Sequence, residues 1–177
     1  AGAWTYALNN AAPAVQALGA GQTLIETFSV AALDGTTSSV TVTINGSNDV
    51  AVLSSGSGAV TEDGALTTGG TLTIVDADAG QASFDAQAAT AGSFGTFTLD
   101  AAGAWTYALN NGSAAVQALG AGQTLTETFS VSALDGTTSS VAVTINGSND
   151  AAVLSSGSGV VAEDGALSTG GTLTISD

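Results

Sequence analysis

Short apolar runs broken by Gly, Asp, Asn and Ser set the pattern along this chain. Between residues 51 and 150 they predict strands at Ala59–Thr61, Gly70–Val75, Ala82–Ala86, Gly95–Leu99, Ala104–Leu109, Thr124–Ala133 and Ser139–Ile145. Leu125, Phe129 and Val131 share a parity, as do Val141, Val143 and Ile145, so each run offers one face to a core. Trp105 and Tyr107 alternate in the same way and read as core anchors. Two connections carry hairpin chemistry: Asp100-Ala101-Ala102-Gly103, and Asp135-Gly136 between FSVSAL and SSVAVTI. Ala114–Leu119 reads as one helical turn, with Val116 and Leu119 turned to the core. About seven strands in roughly 100 residues predict an all-β, Greek-key, immunoglobulin-like sandwich.

The pattern repeats. AGAWTYALNN begins at Ala1 and again at Ala102, a period of 101 residues. Residues 1–76 align with 102–177 without a gap, and about 65 positions are identical. A period of this length suits one small domain per repeat. Ser47-Asn48-Asp49 and Ser148-Asn149-Asp150 are polar, turn-prone and follow a strand, so they read as linkers. The expected organisation is therefore the second half of one repeat at 1–50, a complete repeat at 51–150, and the opening of a third at 151–177. Either the piece belongs to a longer array, or its ends complete each other between molecules by strand donation.

Composition narrows the chemistry. The chain has no Lys, Arg, His, Cys or Met against 15 Asp and Glu, a formal charge of −15. Nucleic acid and anionic membranes are poor partners, because binding them depends on Lys and Arg displacing counterions. The usual nucleophile–base pairs and oxyanion or phosphate clamps cannot be built, which argues against an enzyme; paired carboxylates are the only acid–base option left. No apolar run reaches the ~18 residues that span a bilayer, and no signal peptide is expected at the start.

Strand order then places the acids. Alternate loops of an antiparallel sandwich fall at opposite poles. Asp76, Asp78, Asp100 and Asp135 are expected at one pole, and Glu62, Asp63, Glu127 and Asp150 at the other, with Asp85 outside the scheme. Like charges gathered where repeats abut need a cation between them. Ca²⁺ accepts 6–8 oxygen ligands in irregular geometry. Asp76-Ala77-Asp78-Ala79-Gly80 offers alternate carboxylates and then a Gly turn, with Asn48 and Asp49 nearby in the linker. Zinc and softer metals are disfavoured without imidazole or thiolate.

GTFTLDAAGAWTYALNN, VQALGAGQTLTETFSV, SALDGTTSSVAVTINGSND, VTEDG and TLTIVDADAG, taken together, resemble the VCBS repeat of large bacterial surface proteins. The resemblance covers essentially the whole chain. It implies a cadherin-like fold, an RTX-type adhesin exported by type I secretion, and an extracellular place on a Gram-negative surface. DADAG and the Asn-Asp linker resemble the cadherin interdomain calcium signature. Carried over by position, the upper junction would use Glu26, Asn48, Asp49, Asp76, Asp78 and Asp135. The lower would use Glu62, Glu127, Asn149, Asp150 and Asp177. The chain departs from cadherin in lacking the Arg of a DRE motif, for which Glu127 is a loose substitute, and in lacking a Pro after the linker.

The leading expectation is a calcium-rigidified stalk segment supporting adhesion and biofilm, its partners being neighbouring repeats. Of these junctions only the upper is expected to be complete. A second reading is a fibre built from other copies of the same chain. A third is a glycan- or ice-binding module on an aromatic platform or on Thr71, Thr73, Thr124, Thr126 and Thr128, which read more simply as the solvent face of a sheet.

Overall fold

The computed structural model describes residues 2–176. In chain order its elements are α1 (Pro13–Gln16), β1 (Thr23–Ala31), β2 (Thr37–Asn45), β3 (Val52–Leu53), β4 (Gly56–Thr61), β5 (Thr67–Thr71) and β6 (Ile74–Val75). They continue with β7 (Gln87–Ala91), β8 (Gly95–Leu99), β9 (Ala104–Leu109), α2 (Ala114–Gln117), β10 (Thr124–Ser132), β11 (Thr138–Asn146), β12 (Val153–Leu154) and β13 (Ile175–Ser176). Among the described residues, no helix is long and apolar enough to cross a membrane.

Two sheets form the central sandwich. One has the order β10-β11-β4, with β4 parallel to β11; the other runs β5-β9-β8-β7. The arrangement is the expected immunoglobulin-like all-β fold. Period-2 alternation drives it: Phe129 and Val131 from β10, Val141, Val143 and Ile145 from β11, and Phe97, Leu99, Trp105 and Tyr107 from β8 and β9 are all buried. Phe97 lies between two aromatic partners, stacked on Phe129 at 4.7 Å and on Trp105 at 6.1 Å. The turn at α2 delivers Val116 and Leu119 to the same core. Gly136 (φ 86°) takes the left-handed conformation that the β10–β11 turn requires.

Three expected strands are redrawn. Gly70–Val75 divides: β5 pairs with β9, whereas β6 pairs with β3, so the chain changes sheets around Leu72. The first strand begins at Gly56 rather than Ala59, because Gly56 and Gly58 leave room for the Trp105 indole; a Cβ at either would press on it. Ala82–Ala86 contributes only one bridge, Phe84 to Ala133, and the strand forms later as β7. Alanine-rich β7 carried no strand signal. It is held by β8 and by Gln87, whose side chain donates to the Ser130 carbonyl at 2.8 Å.

Every member of the core cluster falls between Val60 and Ile145. The β1–β2 hairpin forms a sheet of its own, and β12 pairs only with β13.

Candidate metal centres at the repeat junctions

The Asp76–Gln81 loop leaves β6 and folds back on itself. The Asp78 amide donates to Asp76 Oδ1 at 2.9 Å, so the Asp76 carboxylate fixes the loop backbone at Asp78. Asp78 is buried, and its Oδ2 accepts the Asp49 amide of the linker at 2.9 Å. Gln81 Nε2 reaches the same oxygen at 3.4 Å. The preceding half-repeat touches this loop directly, since the Ala79 amide donates to the Ala17 carbonyl at 3.1 Å. The linker is drawn in tightly: a Cβ on Gly46 would collide with the carbonyl oxygens of Leu18 and Gly19. Asn48 turns its amide to the Asp49 carbonyl.

At the other pole Glu62 plays the matching part from the preceding side. It is buried, and its Oε1 accepts the Ser148 amide at 2.7 Å. Asn149 donates to the Asp150 carbonyl, repeating the Asn48 arrangement 101 residues on. Asp63 stands in the left-handed region (φ 53°) and exchanges hydrogen bonds with Asn111; that amide, more than its contact with Asp150, holds its carboxyl below the usual range. A cavity of about 320 Å³ opens here between Gln117–Gly120 and Ser148–Asp150.

Superposing the poles by the repeat gives one linker with two staples. Its Ser amide is held by the Glu of the domain before, and its Asp amide by the DxD of the domain after. Three carboxylate oxygens at these positions are buried with no hydrogen-bond partner: Glu62 Oε2, Asp76 Oδ2 and Asp78 Oδ1. A buried, unpartnered carboxylate oxygen costs stability unless something charged meets it. Carboxylates, amide oxygens and carbonyls without thiolate or imidazole suit a hard divalent cation.

Several expected ligands have other work. Glu127 points into the sandwich, where Oε2 accepts the Tyr107 hydroxyl at 2.7 Å and Oε1 the Phe94 amide at 2.8 Å. Both of its oxygens thus accept hydrogen bonds from groups of the central sandwich. Glu26 occupies the same place in β1, opposite Val42 and beside Tyr6. Asp135 accepts the Ala51 amide and both the amide and hydroxyl of Thr137, which hold its carboxyl low, and so fastens residue 51 to the β10–β11 turn. Asp100 closes its own hairpin on the amides of Ala102 and Ala104, and Asp85 accepts from Ser132 Oγ. Asp177 lies outside the described residues.

The structure thus brings Asp49, Asp76 and Asp78 together at the upper junction, and Glu62 and Ser148 at the lower one. Among the described residues no three carboxylates gather into a single group. Residue type reads Ser148 only as linker and passes over Gly46 and Gly147; their signal is recurrence in GSND at one period.

A profile for a bacterial cadherin-like domain matches residues 48–147. No curated protein matches the chain.

Proposed function

We propose, because the chain belongs to the bacterial cadherin-like domain family, that it is an extender segment of a large extracellular bacterial adhesin whose repeat junctions bind calcium. Membership supports a structural, adhesion- or stalk-type module. The absence of His, Cys, Lys and Arg from the sequence agrees with a role other than catalysis. The finer reading, a VCBS repeat of an RTX-type adhesin exported by type I secretion, rests on the sequence resemblance.

One observation carries the calcium assignment. Glu62 and Asp78, at opposite poles, each use one oxygen to hold a linker backbone amide and leave the other buried without a partner; Asp76, next to Asp78 in its loop, holds the Asp78 amide with one oxygen and leaves its other one likewise bare. Asn48, Asp49, Asp76 and Asp78 would hold an ion above the central repeat; Glu62, Asn149 and Asp150 would contribute below it. Bound calcium would supply the positive charge that lets these acids approach. The residues' own part is mechanical: carboxylates of two domains grip one short linker, and with its hinge freedom reduced the beads form a rod.

Solution scattering with calcium and with EGTA tests this. The expected result is a larger radius of gyration and a higher melting temperature with calcium, since a ligand that binds only the folded form stabilises it by mass action. Identical values in both buffers would overturn the assignment.

A further inference from the structure

We propose that the parallel β4–β11 pair is the tension-bearing clamp of the central repeat, loaded in shear when the chain is drawn out by its two ends. Every residue of this clamp lies within 51–148, and it needs no bound ion. The chain enters the repeat through β3 and β4 and leaves it through β11. β4 is an edge strand whose partner in its sheet is β11, whereas β11 is central, with β10 on its other side. Entry and exit strands are direct neighbours. Six register positions join them, from Gly56 opposite Val141 to Thr61 opposite Asn146. β10 holds β11 over nine positions, so β4 is the shorter attachment. Ahead of β4, β3 adds only two positions, to β6.

Direction decides how the pair meets tension. Both strands run from the Asp135 end of the sandwich to the Glu62 end. Tension on residue 50 draws β4 back toward Asp135, and tension on residue 151 draws β11 onward past Glu62. The strands are pulled along their axes in opposite senses, and the evenly spaced bonds of a parallel ladder are strained together. Had the two strands been antiparallel, both ends would leave at one pole and the rungs would open one at a time.

Side chains reinforce both ends of the ladder. At the entry end the Ala51 amide donates to Asp135 Oδ2 at 2.9 Å, and Ser139 Oγ donates to the Ser54 carbonyl at 3.0 Å. At the exit end Asn146 is bound twice. Its Nδ2 donates to the Val60 carbonyl at 3.0 Å, and its own carbonyl accepts the Glu62 amide at 3.1 Å. Glu62 Oε1 then accepts the Ser148 amide at 2.7 Å. Each of these bonds joins the entry segment 51–62 to the exit segment 135–148. Val60 of β4 shares the core with Val141, Val143 and Ile145 of β11, so β4 cannot slide without opening that core. Release of the clamp and unfolding of the repeat should be one event.

The test uses the 177-residue chain in optical tweezers. It has no cysteine, so introduced thiols are unique tether points. Val50→Cys with Ala151→Cys loads the ladder in shear. Val50→Cys with Leu134→Cys pulls both strands from their entry end and unzips the same ladder. All three positions are exposed. In EGTA, the shear tether is expected to yield at several-fold higher force, in a single step that releases about 300 Å of chain. Asn146→Ala should lower the shear force and leave the unzipping force unchanged, because unzipping is limited by the first rungs, at the far end from Asn146. Equal forces in the two tethers, or an equal loss in both with Asn146→Ala, would overturn the proposal. Both tethers are pulled without calcium, so failure of the clamp is distinct from failure of the calcium assignment.

Discussion

The β1–β2 and β10–β11 hairpins are nearly the same sequence in two settings. Their registers coincide residue for residue, with Phe28 opposite Val40 and Phe129 opposite Val141. Even the local ring pair survives: Tyr6–Phe28 at 6.0 Å and Tyr107–Phe129 at 5.8 Å, both tilted by about 50°. Burial does not survive. Phe28 is 46% exposed and Phe129 is 6% exposed. Hairpin geometry is thus a local property of turn and alternation, whereas the core also takes Val60 of β4, Leu72, and Phe97 and Leu99 of β8 from elsewhere in the repeat.

The largest effect should come from removing the same ring from each hairpin. Phe129→Ala is expected to cost about 3–5 kcal/mol, because it empties a packed site against Phe97. Phe28→Ala should stay within about 1 kcal/mol, as for an exposed side chain. Urea unfolding of both variants measures the contrast. Equal losses would mean that the first half-repeat is packed in solution.

The junction carboxylates sharpen the contrast through a change of sign. In EGTA, Asp78→Asn relieves a buried charge with an unpartnered oxygen and is expected to raise stability by about 1–3 kcal/mol. With calcium at 100 times its dissociation constant, the wild type should gain about 2.7 kcal/mol, and the variant much less of it. Melting curves of both proteins in both buffers decide the matter. A variant less stable in EGTA would mean that the lost Asp49 contact outweighs the relieved charge.

Next in size is the polar pair that each hairpin holds. Tyr107→Phe leaves buried Glu127 without its hydroxyl donor, for an expected cost of about 1–3 kcal/mol. Tyr6→Phe beside Glu26 should cost under about 0.5 kcal/mol. Burial first, then Glu127, raises the Tyr107 pKa, so the folded protein keeps this proton when the unfolded chain has lost it. The resulting stability is complete below about pH 10 and declines as pH rises. Tyr107→Phe should remove that part of the alkaline decline, which an alkaline series of urea unfolding curves measures.

Much of this was legible before the structure. Period-2 alternation located β8, β9, β10 and β11, because each has one wet face and one dry face. It failed at Gly56 and Gly58, which read as punctuation until the Trp105 indole above them is seen. It failed at β7, where alanines pair through the backbone without announcing a strand. At the junctions, Asp76 and Asp78 were legible from spacing alone, since the loop that joins them is local. Glu127 was not: its distance from the poles depends on Tyr107, which reaches it across the sandwich. Residue type alone does not say whether a carboxylate lies in a junction loop or accepts hydrogen bonds inside the sandwich.

The smallest contrast lies in the two hairpin turns. Asp34 accepts the Thr36 amide, as Asp135 accepts that of Thr137, but only Asp135 also holds the Ala51 amide of the domain entrance. Both carboxyls lie below their usual range, Asp34 through Thr36 and Asp135 first through Ala51. A lowered folded pKa gives stability that is present above about pH 4 and lost as pH falls. Asp135→Asn should therefore flatten the acid limb of stability, followed through the near-ultraviolet signal of Trp105. Asp34→Asn should leave that limb unchanged, because its turn is tied to nothing in the central core. A flattened limb with Asp34→Asn would place the first hairpin in the same cooperative unit, and the difference between the hairpins would then be one of exposure alone.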